Sequence, residues 1–325
     1  MKAIICSRYG APENLQLKEV DRPVPTENEV LVKVHSTAIN DYDWSLVRGK
    51  PFLYRLMFGF FKPKRPIPGM ELSGTIEVLG SEVKTLNIGD KVFGDLSDYG
   101  FGSFAEYVCV HENALTKKPA TMSFEDAVAL PHASLLALQG LRDIGRIKQG
   151  ERVLINGAGG GVGTLALQLA KLHGCEVTGV DTGEKLKVMA SLGFDHIIDY
   201  KVTDFTKTGE SYDLVLDCKT TRSASAYMRA LSPEGRYITV GGQLTSLISL
   251  LFIGKLLTLF SKKELKILAL KPNQGLDTII DLYLQGKIKP SIDGPYPLEE
   301  TPRLIRYFGE GKHHGKVVIS VGLQG

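Results

Sequence analysis

The chain has 325 residues, 43% of them hydrophobic and 23% charged, which is ordinary globular composition with apolar material for about two domains. Its 39 basic and 36 acidic residues leave a net charge of only +3, with no long block of one sign, which argues against a dedicated nucleic-acid binder. Cys6, Cys109, Cys175 and Cys218 form no C-x-x-C pair, so a disulfide framework or a cysteine-rich zinc site is disfavoured and a reducing, cytoplasmic setting is expected. The opening "MKAIICSRYG" has too short an apolar run for a signal peptide.

Residues 1–125 carry β signals. "EVLVKV" alternates with a period of two, and "ELSGTIEVLG", "GDKVFG" and "SFAEYVCV" follow, the first two bounded by glycine. The texture changes at "SFEDAVALPHASLLALQGL", which reads as a helix with Ser123 as its cap and Glu125 and Asp126 at its positive end. "RVLIN" is then an apolar strand of the kind buried in a parallel sheet, residues 162–172 are helical, and "EVTGVD" is a strand. A helix ends at Gly193, and "HIID", "YDLVLD" and "RYITVGG" are further strands. This alternation predicts a doubly wound α/β domain over 126–270. The tail, 271–325, returns to mixed strand and helix.

Five of the seven residues from Gly157 to Gly163 are glycine, between a buried strand and a helix. Glycines there permit a tight turn and close backbone approach to a pyrophosphate, and the helix N-terminus offers free N–H groups. The register is Ala158-x-Gly160-x-x-Gly163, with Gly161 and Val162 opening the helix. Asp181 follows at about the spacing where an acid meets a ribose.

At this point a resemblance becomes specific. The chain resembles medium-chain dehydrogenases/reductases, in their zinc-independent quinone oxidoreductase-like branch, over essentially its whole length. "AINDYD" is similar to that branch's A-x-N-P-x-D, with Asp41 in place of proline; "IPGMELSGTIEVLG", "GDKVFG", "NGAGGGVG", "ALQLAK" and "GKVVISV" follow in the family's order. The resemblance implies a GroES-like catalytic domain completed by residues 271–325, a Rossmann dinucleotide-binding domain, and an active site in a cleft between them. It places Asn40 and Asp43 near a nicotinamide, with Tyr42 a candidate hydrogen-bond donor. It places Lys185 at a 2′-phosphate, Tyr200 near the adenosine and Gly241 in the "VGG" segment by the cofactor. Asp181 favours NADH and Lys185 favours NADPH, so the coenzyme stays open.

The positions that hold catalytic zinc in metal-dependent relatives correspond here to Asn40, Met70 and His132, and one histidine cannot make that site. His132 reads as a packed or cleft-lining side chain. His313 and His314 read as solvated or helix-capping loop residues. Without a Lewis acid, hydride delivery suits a quinone or an α,β-unsaturated carbonyl, whose charge spreads over an enolate or phenolate that hydrogen bonds stabilise.

Two apolar stretches remain, "PFLYRLMFGFF" at 51–61 and "LTSLISLLFIGKLLTLF" at 244–260. The second is short for a membrane span, and its polar positions do not gather on one helical face. One reading is interface packing, with a homodimer joined near "LKILAL". Another is a substrate pocket for a bulky apolar acceptor, lined by Tyr54, Phe60 and Leu251. The expectation is an NAD(P)H-dependent, metal-free quinone or enone reductase. The alternatives are a metal-free alcohol or aldehyde dehydrogenase, and a non-catalytic nucleotide-binding or membrane-peripheral protein.

Overall fold

A computed structural model describes residues 1–259 and 261–322; Phe260, the end of the second apolar stretch, lies outside them. Two compact units divide the chain. The first holds Met1–His132, Pro272–Gln274 and the C-terminal segment from Ile292; the second holds Ala133–Lys271 and Gly275–Ser291.

The first unit is built on a seven-stranded sheet. Its central strand, Glu29–Ala38, sends Val30, Val32 and Val34 into a core shared with Leu72, Ile76, Val92, Phe104, Val317 and Ile319. That strand pairs antiparallel with Glu71–Leu79, with Tyr107–His111 and with the late strand Lys316–Ser320. The register is specific: Val318 lies opposite Ala38, and Ile39 donates its N–H to the Val317 carbonyl at 3.0 Å. Glu71 lies opposite Asp95 on the next pair of strands. These two registers bring together residues from opposite ends of the chain.

The second unit holds six parallel strands: Arg152–Asn156, Glu176–Asp181, His196–Asp199, Tyr212–Asp217, Leu231–Thr239 and Glu264–Ile267. Numbered in chain order, they lie side by side as 3-2-1-4-5-6. This is the doubly wound order, with its switch between Arg152–Asn156 and Tyr212–Asp217, where such sheets bind nucleotides. Val153, Leu154 and Ile155 are fully buried, as a strand covered on both faces requires.

The helix expected over 123–141 is interrupted. Ser123 does cap it, accepting the Asp126 N–H at 2.9 Å, but the segment Phe124–Ala129 stops before Pro131, whose missing N–H cannot continue the ladder. A second helix, Pro131–Leu138, begins there and runs into a π-helical turn at Gln139–Ile144. The first helix stays with the first unit, where Val128 and Ala129 pack on Ala38 and Val318. The helix Leu276–Leu284 lies within the second unit, in a segment tied by an exchange of hydrogen bonds between the Gln168 amide and the Lys289 backbone. Neither allegiance follows from a reading that divides the chain at 125 and 270. His313 also departs from expectation: it is buried, its ring stacked on Phe308 at 4.3 Å.

Asn273 crosses back to the first unit in a left-handed conformation, φ 60°. Its amide brackets the Asp95 backbone, accepting the N–H at 2.9 Å and donating to the carbonyl at 2.8 Å. Asn273→Ala loses both bonds and strains the backbone, so denaturant unfolding should show a loss of about 2–3 kcal/mol. Asn273→Gly, free of the strain, should lose less; equal losses would show that the conformation carries no weight.

Candidate active site

In the first unit the helix Asp41–Arg48 opens with half of a capping box: Asp43 accepts the Asn40 backbone N–H at 2.9 Å. Its other carboxylate oxygen accepts the Gly69 N–H at 3.0 Å. Asp43 is wholly buried and ties two loops together. Burial pushes its carboxyl up to about 7, against the two amides and the positive charge of Lys316.

With the backbone held this way, the Asn40 side chain meets the Glu71 carboxylate, Nδ2 donating to Oε2 at 2.7 Å. Lys316 Nζ lies 2.5 Å from the same Oε2 and donates to Asn40 Oδ1. Chemistry fixes the amide's orientation: an ammonium cannot accept and a carboxylate cannot donate. The other Glu71 oxygen accepts the His132 backbone N–H at 2.7 Å. The His132 ring turns to Asp95, Nδ1 to Oδ2 at 2.7 Å. Burial raises the Asp95 carboxyl, but the hydrogen bond and charge of His132, with help from Ser97, outweigh it and hold Asp95 below the usual range. Asp95 therefore accepts, and the proton of this pair sits on His132 Nδ1.

Tyr42 stands edge-on to the His132 ring at 6.3 Å and to Tyr54 at 5.7 Å. Burial, then the charges of Asp95 and Asp98, raises the Tyr42 hydroxyl, and burial pushes Tyr54 up to about 12. Both stay protonated at neutral pH and are donors rather than bases. Phe60 is 51% exposed in the first unit and Leu251 is 58% exposed in the second, whereas Tyr54 is half-buried. Glu71, Asp95 and Lys316 are the members of this buried polar cluster that sequence reasoning passed over, although each lies in or beside a quoted motif, "PGMELSG", "GDKVFG" or "GKVVISV".

These residues do not fit a zinc ion. Of the three corresponding positions, Asn40 has its oxygen held by Lys316 and Met70 offers only a buried thioether, which leaves His132 Nε2 as a single ligand atom. The Lys316 cation beside Asn40 opposes a second cation there. Among the described residues no cluster of three or more histidine, cysteine or carboxylate side chains is arranged to hold a metal.

The second unit holds the glycine loop. Gly157 takes φ 87°, and a Cβ added at Gly163 would come within 2.5 Å of Ala158, so the helix Gly161–Leu172 seats directly on the loop. Its first ladder bond runs from Thr164 N–H to the Gly160 carbonyl. The amides of Gly161, Val162 and Gly163 precede it and have no partner within the helix, the arrangement that receives a pyrophosphate. Asp181 shapes the same loop: its oxygens accept the N–H groups of Gly159 and Thr182, each at 3.0 Å. Lys185 Nζ lies 3.7 Å from Asp181, and the lysine is buried with its stem against Gly159 rather than extended from an exposed helix face. Tyr200 donates its backbone N–H to the Asp181 carbonyl at 3.1 Å. At the neighbouring strand ends, Asp217 accepts Asn156 Nδ2 and the N–H groups of Lys219 and Thr220, and Tyr237 donates to its second oxygen. The Gly241 carbonyl accepts the hydroxyls of Thr220 and Thr239, and a Cβ at Gly241 would meet nothing within 4 Å. The residues present fit a nicotinamide dinucleotide.

A glycine-loop doubly wound unit joined to a β-rich unit with a buried polar cluster defines a dehydrogenase/reductase architecture. The chain belongs to the medium-chain dehydrogenase/reductase superfamily, in its quinone oxidoreductase-like branch. Residues 26–120 match the alcohol dehydrogenase GroES-like domain and residues 192–319 the zinc-binding dehydrogenase family. The chain is 30% identical to a chloroplast envelope quinone oxidoreductase homolog of Arabidopsis thaliana, across 98% of each chain. It is 32% identical to a 2-methylene-furan-3-one reductase of Solanum lycopersicum, across 98% of this chain and 79% of that one. The quinone oxidoreductase from Coxiella burnetii superposes with a TM-score of 0.87 at 29% identity, covering 99% of both chains.

Two outcomes follow. Because Asp43 binds a proton up to about pH 7 when folded but releases it near 3.8 when unfolded, it makes stability fall as pH rises between those values. Asp43→Asn lacks this contribution, so the parent's advantage in Tm over the variant should be larger at acid than at neutral pH; a pH-independent difference would contradict the burial argument. Gly163→Val should displace the helix from the loop and weaken dinucleotide binding by at least about tenfold in a fluorescence titration.

Proposed function

We propose that the protein is a metal-independent, cytoplasmic reductase that moves a hydride from NADPH to a quinone or an α,β-unsaturated carbonyl. The observation that carries this reading is the Lys316–Asn40–Glu71–His132–Asp95 cluster, in which two carboxylates and a lysine fix the donors Asn40 and His132 at two of the positions where metal-dependent relatives need ligands. The family names of the relatives support the acceptor class.

A bound reduced nicotinamide supplies the hydride. The chain's own residues then handle the charge that the acceptor gains. Asn40 spends one amide hydrogen on Glu71, and its second, with the Tyr42 hydroxyl, is a donor for the developing enolate or phenolate oxygen. Lys316 holds that amide in place. His132 Nε2 delivers the proton, the ring being oriented by the Asp95 carboxylate at Nδ1. Hydride plus this proton saturates an enone, and the same hydride and single proton reduce a quinone to its hydroquinone.

Asp181 spends both oxygens on loop amides and has its charge offset by Lys185, which supports NADPH over NADH. We further propose a homodimer. Glu264–Ile267 is an edge strand, and the adjoining helical segment from Leu244 to Thr258 exposes Leu251, Phe252, Ile253 and Leu256.

The deciding assay is loss of nicotinamide absorbance by chelator-treated protein, with each coenzyme offered against a small quinone, a short enone and a long-chain enone. Turnover that survives chelation and prefers NADPH is expected. Binding without oxidation with every acceptor would favour a non-catalytic protein. Lys185→Ala should raise KM for NADPH about tenfold and leave NADH unchanged. His132→Gln should lower kcat about a hundredfold while leaving dinucleotide binding unchanged. An unchanged kcat would remove His132 from the proton path.

A further inference from the structure

From Trp44 to Met70 the chain carries six cations, Arg48, Lys50, Arg55, Lys62, Lys64 and Arg65, and no acid. The same stretch carries the first apolar run, and the structure leaves that run uncovered. Phe61 is 86% exposed, and Phe52, Leu53, Leu56, Met57 and Phe60 are each about half exposed or more. The surface is continuous: Phe52 meets Phe60 edge-on at 5.6 Å, and Phe60 meets Phe61 at 4.9 Å.

The backbone beneath it is pinned. Tyr9 donates its hydroxyl to the Gly59 carbonyl at 2.7 Å, Lys64 donates its N–H to the Phe58 carbonyl at 2.8 Å, and Arg55 reaches the Gly49 carbonyl while lying over the Tyr9 ring. The short helix Leu53–Phe58 is therefore held with Leu53, Leu56 and Met57 outward, while Phe58 packs on Phe101. Lys50, Lys62 and Lys64 are exposed and pair with no carboxylate among the described residues, and Arg65 donates only to the Tyr99 carbonyl.

We propose that residues 50–65 form a docking surface for the face of a lipid bilayer with anionic headgroups. Aromatic and aliphatic side chains on a fixed platform enter the boundary between headgroups and acyl chains, and lysines at both ends of the segment remain at headgroup level. Long lysine stems suit that boundary because the charge stays in water while the methylenes cover apolar surface. A second copy of the chain fits less well. A two-fold axis would set this patch against itself, bringing unpaired lysines together with no acid in the segment to meet them. The proposal does not depend on the reductase reading, since its readout is binding to vesicles alone.

The test is co-sedimentation of the full chain with phosphatidylcholine vesicles, with and without phosphatidylglycerol, at low and high salt. Binding that requires phosphatidylglycerol and falls steeply with salt is expected. Phe61→Ser and the double change Lys62→Glu with Lys64→Glu should each weaken it at least about tenfold, with Tm unchanged to show that both variants fold. Three results would overturn the proposal: no binding to phosphatidylglycerol vesicles, binding that folded variants keep, or concentration-dependent self-association that Phe61→Ser abolishes. The last would assign the patch to contact between copies.

Discussion

The first unit turns on one buried carboxylate. Glu71 has no exposure to solvent and would be costly to bury alone. Lys316, the Asn40 amide and the His132 backbone N–H together satisfy both of its oxygens. Each partner comes from a different part of the chain: a strand near the C-terminus, the end of the central strand, and the start of a helix. Removing Lys316 leaves a charge unpaired inside a low-dielectric core, and removing either neutral donor leaves a carboxylate oxygen short of a hydrogen bond there. The cluster is thus at once a lock on the fold and the source of directed hydrogen-bond donors.

Carboxylates organise the second unit in a related way. Asp181 and Asp217 sit at the ends of parallel strands and spend their oxygens on backbone N–H groups of the loops that follow. Loops shaped by side chains beneath them keep their remaining amides directed outward. The Gly161–Gly163 amides are left for an anion because the rest of the turn has already been satisfied from below. The acid usually read as a ribose partner is here also a structural member of the loop it serves.

The apolar surfaces add a different physics. Exposed aromatic groups at 52–61 and an apolar helical ridge at 244–259 retain an unfavourable contact with water that folding could have removed. The first carries cations and the second has a single lysine, Lys255. That contrast separates a surface suited to anionic headgroups from one suited to another protein surface.

Much was legible in the residues. The alternating strands, the glycine loop between a buried strand and a helix, and the order of motifs specified the two architectures and the nucleotide site, because these depend on local periodicity and short spacing. Asn40 and Asp43 were named from the family resemblance, whereas His132 read only as a packed or cleft-lining side chain. Their partners were not named, because strand register sets them. Only the antiparallel pairing of Lys316–Ser320 with Glu29–Ala38 brings Lys316, 276 residues away in sequence, beside Asn40. Only the pairing of Glu71 with Asp95 places two acids where one helix start meets both. Likewise nothing local to Lys185 foretells that the fold buries it against Gly159 and Asp181. Local composition determined which elements form and what loop could hold a dinucleotide. Which buried charges meet was decided by tertiary pairing, since electrostatic compensation in a core depends on distance in space and not along the chain.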